Sequence, residues 1–209
     1  MNTTPEQTAT GQATAAQTTA DQATAAQTTA DQTAADQTAA DQTTAAPDDA
    51  APPVQMFAIY IDAPAQTIWD AITTSEFTNR YGYGGEVEMD LTPGGAFRHF
   101  TTPEMKEMGM GDVAITGTVV EADPPHRLVQ EWSAVWHDEP ETTLTYEIKE
   151  YPGNACCLTL THDCTGAPNT AKDVRGGGDA EAGGGGWPWE LSSLKTLLET
   201  ERVMSGEGA

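Results

Sequence analysis

Tyr146 and His162 are the two side chains whose type and setting suit acid–base work. His162 closes the run Leu158-Thr-Leu-Thr-His162, whose alternation puts it on the same strand face as Leu158 and Leu160. A polar group in the wall of an apolar space can orient a ligand or move a proton. The ordinary alternative is a histidine near a strand end, satisfied by backbone or water. Asp163 points to the opposite face and forms no simple dyad with it. Tyr146 shares a face with Leu144 and Ile148 and offers a phenol. Around these two, Trp69, Phe97, Trp132 and Trp187 fall on expected inward faces or beside a helix, and Leu191 and Leu194 continue the apolar stripe after Trp187. Each of these is explained by a core alone; together they can also line a pocket for a hydrophobic or aromatic ligand.

Other chemistry finds little support. Gly176-Gly-Gly178 and Gly183–Gly186 lie in a polar stretch without the strand and Lys of a phosphate loop. No nucleophile elbow is present. Cys156, Cys157 and Cys164 are odd in number, and two are adjacent, which suits buried thiols in a reducing compartment better than a disulfide framework. Adding His162 gives no recognisable zinc spacing. No metal or cofactor is expected. His126, after Pro125, and His137, in an acidic turn, are expected at the surface. Met105, Met108 and Met110 punctuate a loop of charges and glycines, and adaptable side chains of this kind could form a lid.

The elements that must position these residues follow from periodicity. Trp187, Leu191, Leu194 and Leu198 recur on one helical face after a glycine run, with Pro188 in the first turn. The glycines suggest a hinge. Val54–Asp62 alternates as a first strand. Asp62 and Pro64 then open a short helix with Ile68, Ala71 and Ile72 on one face, and a second short helix starts at Ser75. Strands follow in quick succession: 86–91, 95–101, 112–122, 127–136 (Leu128, Trp132 and Trp136 on one face), 142–150 and 155–164. Residues 165–186 read as a polar loop. Closely spaced strands imply an antiparallel meander, with the terminal helix across its concave face.

Composition sets the outer limits. Residues 1–53 of the 209 contain no aromatic residue, no Leu, Ile or Val, and no Lys or Arg. The segment ATAAQTTADQ at 13–22 repeats unchanged at 23–32, and TAADQ recurs at 33 and 38. So little apolar surface cannot offset ordering entropy, and this stretch is expected to be a disordered tail before a single domain at 54–209. Seven of the 32 acidic residues lie in the tail, leaving 25 against 9 basic ones, a net charge of −16 on the domain. Such a surface disfavours nucleic acid and anionic membrane. No targeting signal and no apolar run of about 20 residues is present, so a cytoplasmic protein without membrane insertion is expected.

The order of motifs resembles the START-like (SRPBCC, helix-grip) superfamily, in the branch named after the activator of the heat-shock-protein ATPase. The matching residues are Asp62-Ala-Pro64 with Ile68-Trp69-Asp-Ala71; Pro93-Gly-Gly95 with Phe97; Gly117-Thr-Val119 and Glu121-Ala-Asp-Pro-Pro125; Arg127-Leu-Val129 with Trp132; Leu158–His162; and Gly186-Trp187 with Leu191, Leu194, Lys195 and Leu198. The resemblance implies an α+β helix-grip fold: a curved antiparallel sheet of about six to seven strands wrapped on the long C-terminal helix, with two short helices after the first strand. It also implies an apolar cavity between sheet and helix. Three functions are then expected in order: binding of a small hydrophobic or aromatic molecule, a polyketide cyclase or aromatase-like enzyme using His162 or Tyr146, and a chaperone-activating or regulatory module with a protein partner. The state expected is a monomer or homodimer. Many bacterial members of this superfamily have no assigned role, so fold alone does not choose among these.

Overall fold

Alternation in VQMFAIYID sends Gln55, Phe57, Ile59 and Ile61 to one face and Met56, Ala58 and Tyr60 to the other. The segment is strand β1 (Val54–Asp62) of a computed structural model that describes residues 51–180 and 182–204. The repeat tail, read as disordered, lies outside the described residues apart from its last three positions. Helix α1 (Ala65–Thr73) follows Pro64 and buries Ile68, Trp69, Ala71 and Ile72; α2 (Ser75–Thr78) is a single turn. Then come β2 (Val87–Met89), β3 (Ala96–Phe100), a short helix α3 (Pro103–Glu107), and strands β4 (Val113–Asp123), β5 (Arg127–Ala134), β6 (Thr142–Glu150) and β7 (Ala155–Asp163). Helices α4 (Pro168–Arg175) and α5 (Gly186–Thr200) end the chain.

The seven strands form one antiparallel sheet in the order β1-β7-β6-β5-β4-β3-β2. Bulges between His99 and Phe100 and between Val119 and Glu121 add twist and curve the sheet. Gly117 sits between Phe97 and Trp132 in the register, and a Cβ there would collide with the Phe97 ring and the Glu131 carbonyl; the missing side chain lets Phe97 lie over the strand. Helix α5 buries Leu191, Leu194 and Leu197 against the concave face and also caps the free edge of β1. Lys195 Nζ donates to the Tyr60 carbonyl (2.7 Å) and the Asp62 N–H donates to Glu199 Oε1 (2.8 Å). These two bonds satisfy the Tyr60–Asp62 end of that edge, which there offers no template for another strand.

Three local expectations change. The stretch 165–186 contains α4, whose Thr170, Ala171 and Val174 are buried behind Pro168, with Ala167 buried at the N-cap. The methionine loop contains α3, capped by Thr102 Oγ1, which accepts from the Met105 N–H (3.4 Å). Trp136 leaves the β5 face, because the strand ends at Ala134; it is 49% exposed and donates its indole N–H to Asp173 (3.1 Å). The glycines before α5, expected as a hinge, also serve close approach: Gly178 and Gly184 are bonded (2.9 Å), and a Cβ on Gly186 would fall 2.6 Å from the Gly176 nitrogen.

Candidate functional site

Strand register decides what faces α5. Gln130, Leu144, His162 and Gln55 stand opposite one another across β5, β6, β7 and β1, and Leu128, Tyr146, Leu160 and Phe57 form the next row. Above these rows the helix presents Trp187, Glu190, Leu191 and Leu194, the positions that a 3.6-residue period brings to one side. Its inner stripe is therefore apolar except at Glu190, in the first turns, and at the buried Ser193.

His162 is fully buried and every ring nitrogen is used. The Trp187 indole N–H can only donate, and it donates to His162 Nδ1 (3.0 Å). The ring proton therefore sits on Nε2 and is given to Thr142 Oγ1 (2.7 Å), whose own hydroxyl donates to the Trp132 carbonyl (3.0 Å). Burial lowers the His162 pKa to about 4, against a smaller opposing pull from Asp163. Trp132 meets the imidazole edge-on, with centroids 5.1 Å apart, and Trp187 lies 5.8 Å away on the other side. The neutral ring thus joins β6, β7 and α5, and it can accept a further proton only by releasing Trp187.

Glu190 is the charged group on the same face. Its Oε2 accepts the Tyr83 N–H (3.3 Å), and it makes no ion pair among the described residues. Gly82 makes room for the carboxylate, since a Cβ there would collide with it. Trp189, the residue before it, donates its indole N–H to the Gly82 carbonyl (3.1 Å), so the 81–84 loop and the start of α5 are fixed together. Burial raises the Glu190 carboxyl to about 7, partly offset by the Tyr83 N–H. Its charge in turn adds to the burial that raises the Tyr81 and Tyr146 hydroxyls, which places both near it. Tyr81 is occupied, donating to the Ala71 carbonyl (3.2 Å). Tyr146 has no hydrogen-bond partner among the described residues, and the buried polar atoms left unpaired are Gln55 Oε1, Thr78 Oγ1 and Ser193 Oγ. The Tyr146 hydroxyl is therefore still reached from solvent. Its ring packs edge-on against Trp187 at 6.4 Å.

The residues singled out from sequence separate into two groups. Trp69, Phe97, Leu191 and Leu194 are 3%, 1%, 3% and 1% exposed and pack in the core. Trp132, His162, Trp187 and Tyr146 form a continuous chain of ring contacts leading from that core to a half-buried edge at Trp187 and Tyr146. The lid candidates stand apart at the β3–β4 end of the sheet; Met108 is 75% exposed, and Met105 and Met110 are half-buried. A separate groove of about 310 Å³ lies among Thr67, Phe77, Arg80, Leu197, Leu198 and Glu201, on the helical side and away from these rings. His126 meets Glu150 (3.5 Å) at the surface, whereas His137 is partly covered and bonded to Asp173 (2.7 Å). His99, which shares a strand face with Phe97, is half-buried, and its desolvation lowers its pKa to about 4. Cys156 and Cys164 are buried free thiols, and Cys157 is half-buried. Among the described residues no cluster suited to a metal occurs, and no helix is long and apolar enough to cross a membrane. Glu190 is the residue that sequence reasoning missed. The available signal was its position three after Trp187 and four before Leu194, inside the stripe.

Comparison with known proteins bears on the family and the fold. The family described as activator of Hsp90 ATPase homolog 1-like protein has a model that matches residues 62–199. No curated protein matches the chain. Among solved structures, CalU16 from Micromonospora echinospora is 24% identical with a TM-score of 0.50, the match covering 71% of this chain and 77% of that one. DynU16, from the dynemicin biosynthetic locus, is 22% identical with a TM-score of 0.53, over 73% of this chain and 49% of its own. A protein from Bordetella parapertussis is 23% identical with a TM-score of 0.51, over 71% and 75%. At these identities the three show the shared fold.

Proposed function

The chain belongs to the activator of Hsp90 ATPase homolog 1-like family, and on that premise we propose that it binds a small hydrophobic or aromatic molecule between the concave face of the sheet and the start of α5. The carrying observation is the edge formed by Tyr146, Trp187 and Glu190. Apolar wall surrounds two polar tips that the fold leaves without a full set of partners, which is how ligand sites combine burial with orientation. The floor beneath, from Trp132 and His162 to Leu191 and Leu194, is rigidly packed and hydrogen-bonded, so it can hold those tips in place. Native mass spectrometry of the full chain purified without denaturation tests the reading. A retained small molecule, or a rise in melting temperature with members of a hydrophobic ligand panel, supports it. An empty protein that no panel member stabilises counts against it.

A second reading is catalysis in the same place: Tyr146, whose ring packs on Trp187, and Glu190, three residues after Trp187 in α5, are both raised by burial, a setting that suits an acid–base pair. In that case Glu190 and Tyr146 carry the proton transfers, with His162 as a positioning residue, since both its nitrogens are engaged. Loss of turnover in Tyr146→Phe with retained folding is the expected signature; full turnover in that variant removes the reading.

A further inference from the structure

The Glu190 carboxylate raises a question of partner that the fold leaves open. It stands on the inward stripe of α5 with one backbone N–H as its hydrogen-bond partner. No Lys or Arg forms an ion pair with it among the described residues, and four of the nine cations face other carboxylates: Arg98 faces Glu88, Lys106 faces Asp112, Arg127 faces Glu121 and Glu147, and Lys195 faces Glu199. The groups that face Glu190 are neutral across the physiological range. They are Tyr81 and Tyr83 from the loop after α2, Tyr146 from β6, and His162 of β7 behind Trp187. A half-buried carboxylate among aromatic rings without a cation is the complement of a positively charged nitrogen on an apolar body. The negative charge of the chain as a whole, −23, favours the approach of such a ligand and disfavours an anion.

We propose that Glu190 is the recognition group of this site and that its ligand is an aromatic or polycyclic amine bound as the ammonium ion, the nitrogen set between Glu190 Oε1 and the Tyr146 hydroxyl and the apolar body against Trp187. This rests on the ligand-binding reading above and narrows it to a chemical class. A neutral alcohol leaves the half-buried carboxylate without a counter-charge, and a carboxylic acid is repelled by it. Binding of the ammonium also draws the carboxyl to its ionised form, so a proton leaves as the ligand enters.

The test uses three probes of one size, 1-naphthylmethylamine, 1-naphthylmethanol and 1-naphthoic acid, titrated calorimetrically into the full chain at pH 7. The amine is expected to bind about tenfold more tightly than the alcohol, with the acid weakest. In Glu190→Gln the preference of amine over alcohol should fall to within about twofold. Equal affinity of amine and alcohol, or a preference that survives Glu190→Gln, overturns the amine assignment while leaving the ligand site in place. Binding of none of the three overturns both. A readout without any variant is the buffer dependence of the heat: the amine should release protons and the alcohol should not, and equal proton release for the two contradicts the pairing.

Discussion

The indole N–H of Trp187 points at Nδ1 of His162 from 3.0 Å, tying the first turn of α5 to the last strand of the sheet. One hydrogen bond thereby fixes the histidine tautomer, the ring position of Trp187 and the seating of the helix. Replacing Trp187 by Phe removes the donor and leaves a buried acceptor unpaired. The expected cost is about 1–3 kcal/mol in chemical denaturation. Nitrogen shifts of the His162 ring should show protonated Nε2 in the wild type; a protonated Nδ1 would contradict the network.

Acid should weaken the fold through the same histidine. Its folded pKa, about 4, lies below the usual 6.5, so the unfolded chain binds the proton more readily. Stability from this group is complete above pH 6.5 and is lost as pH falls towards 4, by about 2–3 kcal/mol in total. His99, lowered to about 4 by burial, acts in the same direction. His162→Gln should flatten the acid limb of a stability–pH curve relative to wild type.

Glu190 works with the opposite sign. Its folded pKa, about 7, lies above the usual 4.5, so the folded state holds the proton more tightly. Stability is greatest below pH 4.5 and declines as pH rises through 7. With a discount for the water that still reaches the group, Glu190→Gln should be about 1–2 kcal/mol more stable than wild type at pH 8 and equal to it near pH 4.5. A variant that is less stable at pH 8 would show that the carboxylate is matched by a partner after all.

Gly117→Ala should destabilise by about 2 kcal/mol or more, because the added methyl meets the buried Phe97 ring and the Glu131 backbone carbonyl of the paired strand. Thermal unfolding measures it. A neutral outcome would mean that Phe97 has room to move, which its 1% exposure argues against.

Most of the sheet was legible because alternation is a strong local signal: β1 and β6 coincide with the stretches read from sequence, and the other strands differ at their ends by one or two residues. Helix α4 was hidden because its buried face is only Thr170, Ala171 and Val174, set between glycines and charges, and small residues make a faint stripe. The site was half legible. The aromatic residues announced themselves by type and phase. The partner that completes the His162 network, Thr142, lies 20 residues away, and only the β6–β7 register brings them together. Glu190 was passed over because a charged residue inside an apolar stripe reads as the edge of the exposed face until the helix is seated.

Occupation by a ligand of the edge where Trp187 meets Tyr146 can be followed at that edge itself. Its most direct measurement is a titration of 1-naphthylmethanol into the full chain labelled with nitrogen-15, following the five indole N–H signals. A saturable shift of the Trp187 signal is expected, while that of Trp136, bonded to Asp173 outside the site, stays in place. A Trp187 signal that does not respond up to the solubility limit of the probe would contradict that occupation.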